Sequence, residues 1–185
     1  MVPRGKRTNK VVGKVMKTAI VYYSMSGNTK YVADKIADEI KASEEVDIIR
    51  IEPKKAYPDK GAKKFLWGGK SAVMGEKPAL LPYEFKIETY DRIIFGTPVW
   101  ASTFAPPLRT FINENPDVKD KKIAVFTCFS GGGADKAIDK MKKYIGIEKF
   151  EAELILTDPK DNVKEEDNVK IAEFCKSQYG VYKRK

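Results

Sequence analysis

The sequence predicts a single α/β domain built on a doubly wound, five-stranded parallel sheet with helices on both faces. From Thr18 onward, short apolar runs alternate with segments whose apolar residues recur at helical spacing, which is typical of repeated βα units. The 185 residues suffice for one hydrophobic core, and no apolar run approaches the roughly 20 residues of a membrane-spanning helix. Because right-handed crossovers allow few strand orders, five such units fit the order 2-1-3-4-5.

Five short apolar runs predict the strands of this sheet. They lie at residues 20–23, 46–51, 92–96, 123–127 and 153–157. Each of the first four is followed by a segment that leads on to the next strand, and the fifth leads to a final helix. No internal repeat or low-complexity segment interrupts this order, so the chain reads as one domain.

Segments with helical spacing predict the crossover helices. We place them at residues 32–40, at 65–74, at 108–112 behind Pro106 and Pro107, at 137–145 and at 163–179. In the second of these, Ala72 and Val73 share a face with Phe65, although two internal glycines weaken the helix by about 1 kcal/mol each. Residues 75–90 contain two prolines and read as a long surface connection, a feature that is often functional.

The positive charge of the chain is concentrated at its start. The formal net charge is +9, with 35 basic and 26 acidic residues, but residues 1–15 hold five of the basic residues and no acid. Residues 16–185 therefore carry 30 basic and 26 acidic residues, a net charge of +4. We predict that residues 1–15 are a disordered basic extension or an expression remnant, with Met16 as the natural start, and that residues 16–185 form the domain. The scattered lysines indicate a solvated face and no nucleic-acid groove.

The composition excludes several kinds of catalytic site. The chain has no histidine, which removes the usual general base near neutral pH and most zinc or iron ligation. Its two cysteines, Cys128 and Cys175, fall in apolar contexts and suit a reducing cytoplasm, so we predict a cytoplasmic protein without a membrane segment. Any chemistry is therefore expected to belong to a cofactor.

The loops that follow strands one, three and four are the expected ligand site. In such a sheet the strand order reverses between strands one and three, and ligands bind beyond the carboxyl ends there. The first loop, residues 24–29, reads Ser-Met-Ser-Gly-Asn-Thr, with neutral donors, a glycine for close approach and a helix N-terminus behind it. It suits a terminal monophosphate. The alternative is that Ser26 or Asn28 merely caps the helix.

These loops resemble those of the flavodoxins. The flavodoxin phosphate loop has the pattern Thr/Ser-x-Thr/Ser-Gly-x-Thr/Ser directly after strand one, which residues 24–29 match, and the family's Gly-Ser/Thr-Pro-Val/Thr-aromatic segment stands here at residues 96–100. The third loop, residues 127–133, carries three glycines. The resemblance implies a flavodoxin-like fold with FMN bound non-covalently, and the residues that it assigns to FMN are Ser24, Met25, Ser26, Gly27, Asn28, Thr29, Thr97, Pro98, Val99, Trp100, Ala101, Cys128, Phe129, Ser130, Gly131 and Gly132.

Within that set the resemblance implies distinct roles. The first loop would bind the phosphate, Trp100 would line the isoalloxazine ring, and Phe129 with the amides of residues 130–132 would face the pyrimidine edge and the other side of the ring. The alternatives are that Trp100 packs in the core, that the glycines form a flexible turn and that Cys128 is a packed thiol. Trp67 and Lys70 could border a substrate pocket, with core packing as the alternative for Trp67.

The resemblance implies an FMN-binding redox protein that passes electrons between a donor and an acceptor. The expected partner is a redox protein or a small-molecule electron acceptor, with no nucleic acid and no membrane, and the chain would be a monomer or a homodimer. The alternative is an NAD(P)H-dependent oxidoreductase of the same fold, acting on quinones, nitro compounds or free flavin. A flavin-free regulatory domain is a third possibility, but the acidic cluster that response regulators need after strand one is missing.

Two features depart from the flavodoxin pattern. Flavodoxin carriers are typically acidic whereas this chain is basic, so we expect a less negative reduction potential. The second loop has Trp100-Ala101-Ser102 where many flavodoxins have a glycine. Since positive φ is costly for a residue with a Cβ, we expect two-electron chemistry to be preferred over one-electron transfer.

Overall fold

The computed structural model describes residues 15–58 and 69–177, and its sheet has the predicted architecture. The strands are β1 (Lys17–Tyr22), β2 (Glu45–Arg50), β3 (Arg92–Trp100), β4 (Thr103–Phe104), β5 (Lys122–Phe129) and β6 (Glu153–Thr157). The helices are α1 (Asn28–Ile40), α2 with residues 69–73 described, α3 (Pro106–Glu114), α4 (Ala134–Ile145) and α5 (Glu165–Ser177). Short 3₁₀ helices lie at Ile87–Thr89 and Pro116–Asp120.

The strand order confirms the doubly wound prediction. The parallel strands are arranged β2-β1-β3-β5-β6, which is the order 2-1-3-4-5 once β4 is set aside. The additional strand β4 pairs antiparallel with the end of β3, with Trp100 opposite Thr103. Because this hairpin extends β3, the third strand runs to Trp100 and does not end at the predicted Gly96.

Helices cover both faces of the sheet because successive strand residues point to opposite sides. Ala19 and Val21 of β1 belong to one core, which contains Leu108 and Phe111 of α3 and Met141 of α4. Ile20 and Tyr22 belong to the other, which α1 and α5 cover with residues such as Ile36 and Phe174. The carboxyl ends of β1, β3, β5 and β6 therefore emerge at one edge of a sheet that is buried on both sides.

The connection between β2 and β3 differs from its prediction in two ways. Residues 69–73 are helical as predicted, but Ala72 is 1% exposed and Val73 is 70% exposed. The prediction that Ala72 and Val73 share a buried face was wrong, because adjacent helical residues project about 100° apart. Phe65 and Trp67 lie outside the described residues. Residues 75–90 are more than a surface connection. Leu80 forms an isolated antiparallel β-bridge with Pro53, and the Phe85 ring packs on Phe111 of α3.

A buried ion pair joins the amino-terminal edge of the sheet, opposite the predicted site. Arg92, at the start of β3, is 1% exposed and its guanidinium pairs with the buried Glu44 carboxylate. The Thr18 hydroxyl of β1 donates a hydrogen bond to the same carboxylate. A buried charge is tolerated only when it is paired and hydrogen-bonded, so this cluster fixes β1, β3 and the end of the α1–β2 turn together.

The two ends of the chain lie outside the structural account. Residues 1–14 are not among the described residues, so the basic extension stays a prediction, and the last two residues of the predicted final helix fall beyond Ser177. In the described part of the chain, no helix has the length and apolar character needed to span a membrane.

Candidate cofactor-binding site

A cavity of about 340 Å³ lies at the carboxyl edge of the sheet, where the strand order reverses. Residues from all three predicted loops line it, and so do residues of α2 and of the loop after β6. This volume is in the range of small-molecule sites. The sequence therefore located the cavity correctly from the rule that ligands bind outside the carboxyl ends at the switch point.

The first loop places a helix N-terminus at the cavity. Gly27, which precedes the first residue of α1, adopts φ 96°. A residue with a Cβ would adopt this left-handed conformation only at an energetic cost. The buried Ser24 hydroxyl accepts a hydrogen bond from the Lys30 N–H at 3.2 Å, so Ser24 caps the first turn of the helix. Within the described part of the chain the N–H groups of Asn28 and Thr29, the first two residues of α1, donate to no carbonyl, which leaves them for an anion.

Side chains of this loop divide between the cavity and the protein interior. Met25, Ser26 and Asn28 line the cavity, whereas Ser24, Gly27 and Thr29 do not. The Asn28 amide, which is predicted to donate to a phosphate, already has protein partners: its Nδ2 donates to the Asp161 carboxylate at 3.2 Å. Its Oδ1 accepts the N–H of Lys160 at 2.8 Å. Asn28 thus joins the first loop to the loop after β6.

The second loop supplies the apolar wall of the cavity. Four of the residues that are predicted to contact FMN line it, namely Pro98, Val99, Trp100 and Ala101. Thr97 does not, because its hydroxyl accepts the Ala105 N–H at 2.9 Å and donates to the carbonyl of Pro98. The predicted contact of Thr97 with the ligand is therefore replaced by a structural role that holds the β3–β4 hairpin against α3.

Trp100 combines the two interpretations that the sequence allowed. Its ring packs edge-on against Tyr23 at 5.6 Å and against Tyr57 at 5.1 Å between ring centroids. It nevertheless lines the cavity and is only half-buried. Edge-to-face packing of this kind fixes the ring plane, so Trp100 presents an oriented aromatic surface to whatever occupies the cavity.

The turn between β3 and β4 carries backbone strain at the rim of the cavity. Ala101 and Ser102 adopt φ 48° and 55°, as a two-residue turn matched to strand twist requires. The cost of positive φ that suggested two-electron chemistry is thus already present in the folded turn, and that expectation loses its basis. Gly133 packs so closely on this turn that an added Cβ would lie 3.0 Å from the Cα of Ser102.

The third loop lines the cavity with its five central residues. Residues 128–132 all contribute, and Gly132 and Gly133 adopt positive φ ahead of α4. The Ser130 hydroxyl donates to the Asp158 carboxylate at 2.6 Å. Asp158 lines the cavity as well and has φ 42°. A carboxylate held in this position can accept hydrogen bonds from hydroxyl or N–H groups of a ligand.

Cys128 lines the cavity as an inert thiol. It is buried, and burial raises its pKa to about 12, against a smaller opposing effect of the neighbouring Thr29 hydroxyl. A thiol with so high a pKa stays protonated near neutral pH and is a poor nucleophile. The packed-thiol interpretation therefore describes its chemistry, while its position agrees with the predicted site.

Three lining residues were missed by the sequence interpretation. Ser102 directly follows the predicted second loop, and Gly69 reaches the cavity from α2, where an added Cβ would lie 3.9 Å from the Cβ of Ala101. Asp158 follows β6, whose carboxyl end meets the same edge as β5. The rule used for strands one, three and four would have found Asp158 if applied to strand five, whereas Gly69 is brought in by a long connection that no local pattern specifies.

Taken together, the site offers two chemically distinct ends. A turn of hydroxyls and free N–H groups at the start of α1 can hold an anion. Trp100 and Phe129 line the rest of the cavity together with residues 130–132 of the third loop. This arrangement suits a ligand with a phosphate at one end and a flat ring at the other.

Comparison with known proteins places the chain in one family and one fold. The family model described as flavodoxin matches residues 17–168. A flavoprotein from Lactobacillus acidophilus NCFM, solved in complex with FMN, is 23% identical with a TM-score of 0.64, covering 80% of this chain and 96% of that one. Flavodoxin 2 from Bacillus cereus is 23% identical with a TM-score of 0.53, covering 88% and 97%, respectively. Megasphaera elsdenii flavodoxin is 18% identical with a TM-score of 0.53, covering 89% and 99%.

Proposed function

Since the chain belongs to the flavodoxin family, with FMN as its cofactor, we propose that it holds FMN in the carboxyl-edge cavity and passes electrons between a donor and an acceptor. The observation that carries the proposal is the meeting of the hydroxyl-rich N-terminus of α1 with Trp100 and the glycine loop in one cavity. Neither end alone would indicate a flavin nucleotide, because helix N-termini and aromatic clefts are common separately.

The residues present fit FMN at each end. Gly27 is the N-cap of α1 and has no side chain that could cover the N–H groups of the first turn. The N–H groups of Asn28 and Thr29 and the Ser26 hydroxyl can donate to phosphate oxygens. Hydrogen bonds to a charged group contribute roughly 1.5–3 kcal/mol each. At the other end, Gly131 and Gly132 have nothing within 4 Å of an added Cβ, so a ligand can approach their backbone closely.

Bound FMN supplies a ring that accepts and releases electrons, and the chain supplies position and electrostatics. Trp100, whose ring plane is held by edge-on packing against Tyr23 and Tyr57, would cover the flavin ring and shield it from water. Asp158, held by the hydrogen bond from Ser130, would accept hydrogen bonds from hydroxyl or N–H groups of the bound FMN. The reaction then needs only access for a donor and an acceptor, which suits a carrier.

The test is a flavin titration of the apo form of the complete protein. We expect one FMN per chain, measured by quenching of flavin fluorescence. Ser26→Ala removes a hydroxyl that lines the cavity and should weaken FMN binding by about tenfold or more. Ser177→Ala is the matched control, because the Ser177 hydroxyl donates to the Phe174 carbonyl at the end of α5. Equal affinities in both variants, or no binding at all, would contradict the proposal.

One observation favours an enzymatic alternative. Gly69 of α2 lines the cavity beside Ala101, so the long connection between β2 and β3 covers one side of it. An enclosed ring site suits an NAD(P)H-dependent reductase of small molecules, since closure excludes water from the reacting groups. Anaerobic addition of NADH or NADPH to FMN-loaded protein separates the two functions. Rapid bleaching of the flavin without a partner protein would favour the reductase, and unchanged absorbance would favour the carrier.

A further inference from the structure

Lys160 lies against the phosphate loop, although the loop itself contains no cation. A Cβ built on Gly27 would be 3.2 Å from the Nζ of Lys160 and 3.4 Å from its Cδ. The ammonium group and its stem therefore pass directly beside the residue that precedes α1. No sequence pattern predicts this approach, because Lys160 is 131 or more residues from every position of the loop and follows a different strand.

The position of the ammonium is unfavourable unless an anion is nearby. The N-terminus of a helix carries partial positive charge, and cations are stabilised at the opposite end. Among the residues that the structure describes, none forms an ion pair with Lys160. Lys30, on the first turn of α1, is paired with Asp34 at 2.6 Å and does not compete for the same anion. The Lys160 ammonium, which lies beside the positive end of α1 and forms no ion pair with the described residues, is therefore available to a negatively charged ligand bound at that helix end.

The backbone that carries Lys160 is fixed to the loop it faces. The Lys160 N–H donates to Asn28 Oδ1 at 2.8 Å, and the Asp161 carboxylate accepts from Asn28 Nδ2 at 3.2 Å. Asp158, at the start of the same segment, is held by Ser130. The segment therefore presents one cation between two carboxylates that are already hydrogen-bonded. Without Lys160, residues 158–161 would place only negative charge beside the phosphate loop.

We propose that Lys160 is the cationic partner of the FMN phosphate and makes the site prefer FMN over riboflavin, which lacks the phosphate. This inference rests on the proposed function, because it assumes that FMN occupies the cavity. Lys160 acts on the phosphate end only, so it should change affinity for the phosphorylated flavin and leave affinity for the bare ring system unaffected. Since the side chain is exposed, the interaction should also be sensitive to salt.

The experiment measures dissociation constants of FMN and riboflavin for the apo form of the complete chain. The variants are Lys160→Met, Lys160→Arg and, as a matched control, Lys164→Met, which removes the same charge from a lysine paired with Glu166. We expect Lys160→Met to weaken FMN binding roughly 5-fold at low ionic strength, the upper range for an exposed pair, with riboflavin unchanged. Lys160→Arg and Lys164→Met should retain wild-type affinity, and high salt should remove the difference.

The outcomes separate the role of Lys160 from the proposed function. Wild-type affinity for FMN in Lys160→Met would overturn the inference while leaving FMN binding intact. An equal loss for FMN and riboflavin would also overturn it, since that would show that Lys160 only supports the shape of the site. If the wild-type protein binds neither flavin, the proposed function fails, and the role assigned to Lys160 fails with it.

Discussion

Gly133 couples the third loop to the strained turn at Ala101 and Ser102, and its replacement by alanine should reveal that coupling. Gly133 has φ 82°, and an added Cβ would lie 2.8 Å from the Cβ of Ser102 and 3.0 Å from its Cα. Because a backbone atom is among the clashing neighbours, the turn itself must shift. Gly146, at the other end of α4, has φ 84° and nothing within 4 Å of an added Cβ, so Gly146→Ala is a control with the same backbone cost.

The expected magnitudes follow from this contrast. The left-handed conformation costs about 1 kcal/mol for a residue with a Cβ, which is the predicted loss of unfolding free energy for Gly146→Ala. Gly133→Ala adds overpacking of roughly 1–3 kcal/mol, for a total of roughly 2–4 kcal/mol. It should also weaken FMN binding, because Ala101 and Ser102 line the cavity.

Urea unfolding of the apo proteins, extrapolated linearly to water, gives the first quantity, and flavin fluorescence titration gives the second. Gly146→Ala should bind FMN as the wild type does. If the two variants lose the same amount of unfolding free energy, or if Gly133→Ala binds FMN with wild-type affinity, the close packing of the third loop on the turn does not control the site.

Three further predictions concern the sheet edge, the buried thiol and the aromatic wall. Glu44→Gln removes the charge of the buried carboxylate that pairs with Arg92 and leaves the longer ion pair of Arg92 with Glu151, at 3.7 Å. It should cost about 3 kcal/mol of unfolding free energy in urea, at unchanged FMN affinity because the pair lies at the opposite edge of the sheet; a loss below 1 kcal/mol would refute this. Burial raises the pKa of Cys128 from 9.0 to about 12, so the unfolded chain loses this proton first. The resulting stabilisation is complete below pH 9 and is lost between pH 9 and 12, at about 1.4 kcal/mol per pH unit. Cys128→Ala should therefore show a shallower decline of apo-protein stability over that range, and identical slopes would contradict the burial of the thiol. Trp100→Leu removes the edge-on contacts with Tyr23 and Tyr57 and should cost roughly 1–3 kcal/mol of stability together with FMN affinity, whereas a stable variant with wild-type affinity would show that the ring is dispensable.

The fold was predictable because its signals are local and consistent. Each parallel strand is a short apolar run, each helix has an apolar stripe, and the handedness of the crossovers leaves few strand orders. The end of β3 was not predictable in this way. Its extension to Trp100 depends on pairing with the two-residue strand β4, and so short a strand has no periodicity to detect.

The site was predictable where a loop follows a strand and not where distant segments meet. The loops after β1 and β5 can be identified from the sequence by their hydroxyl-bearing residues and glycines, and both loops line the cavity. The hydrogen bonds that Ser24 and Thr97 form within the protein could not be predicted. A hydroxyl that caps a helix or holds a hairpin has the same sequence pattern as one that binds a ligand. The approach of Lys160 to Gly27 results from tertiary packing between segments far apart in the chain.

A crystal structure of the protein with FMN bound tests the central claim most directly, because the claim concerns where each end of the ligand lies. The account predicts the phosphate at the N-terminus of α1, within hydrogen-bond distance of the Asn28 and Thr29 N–H groups, and the ring beside Trp100 and the third loop. FMN found outside this cavity, or held in it with the phosphate away from α1, would contradict the account.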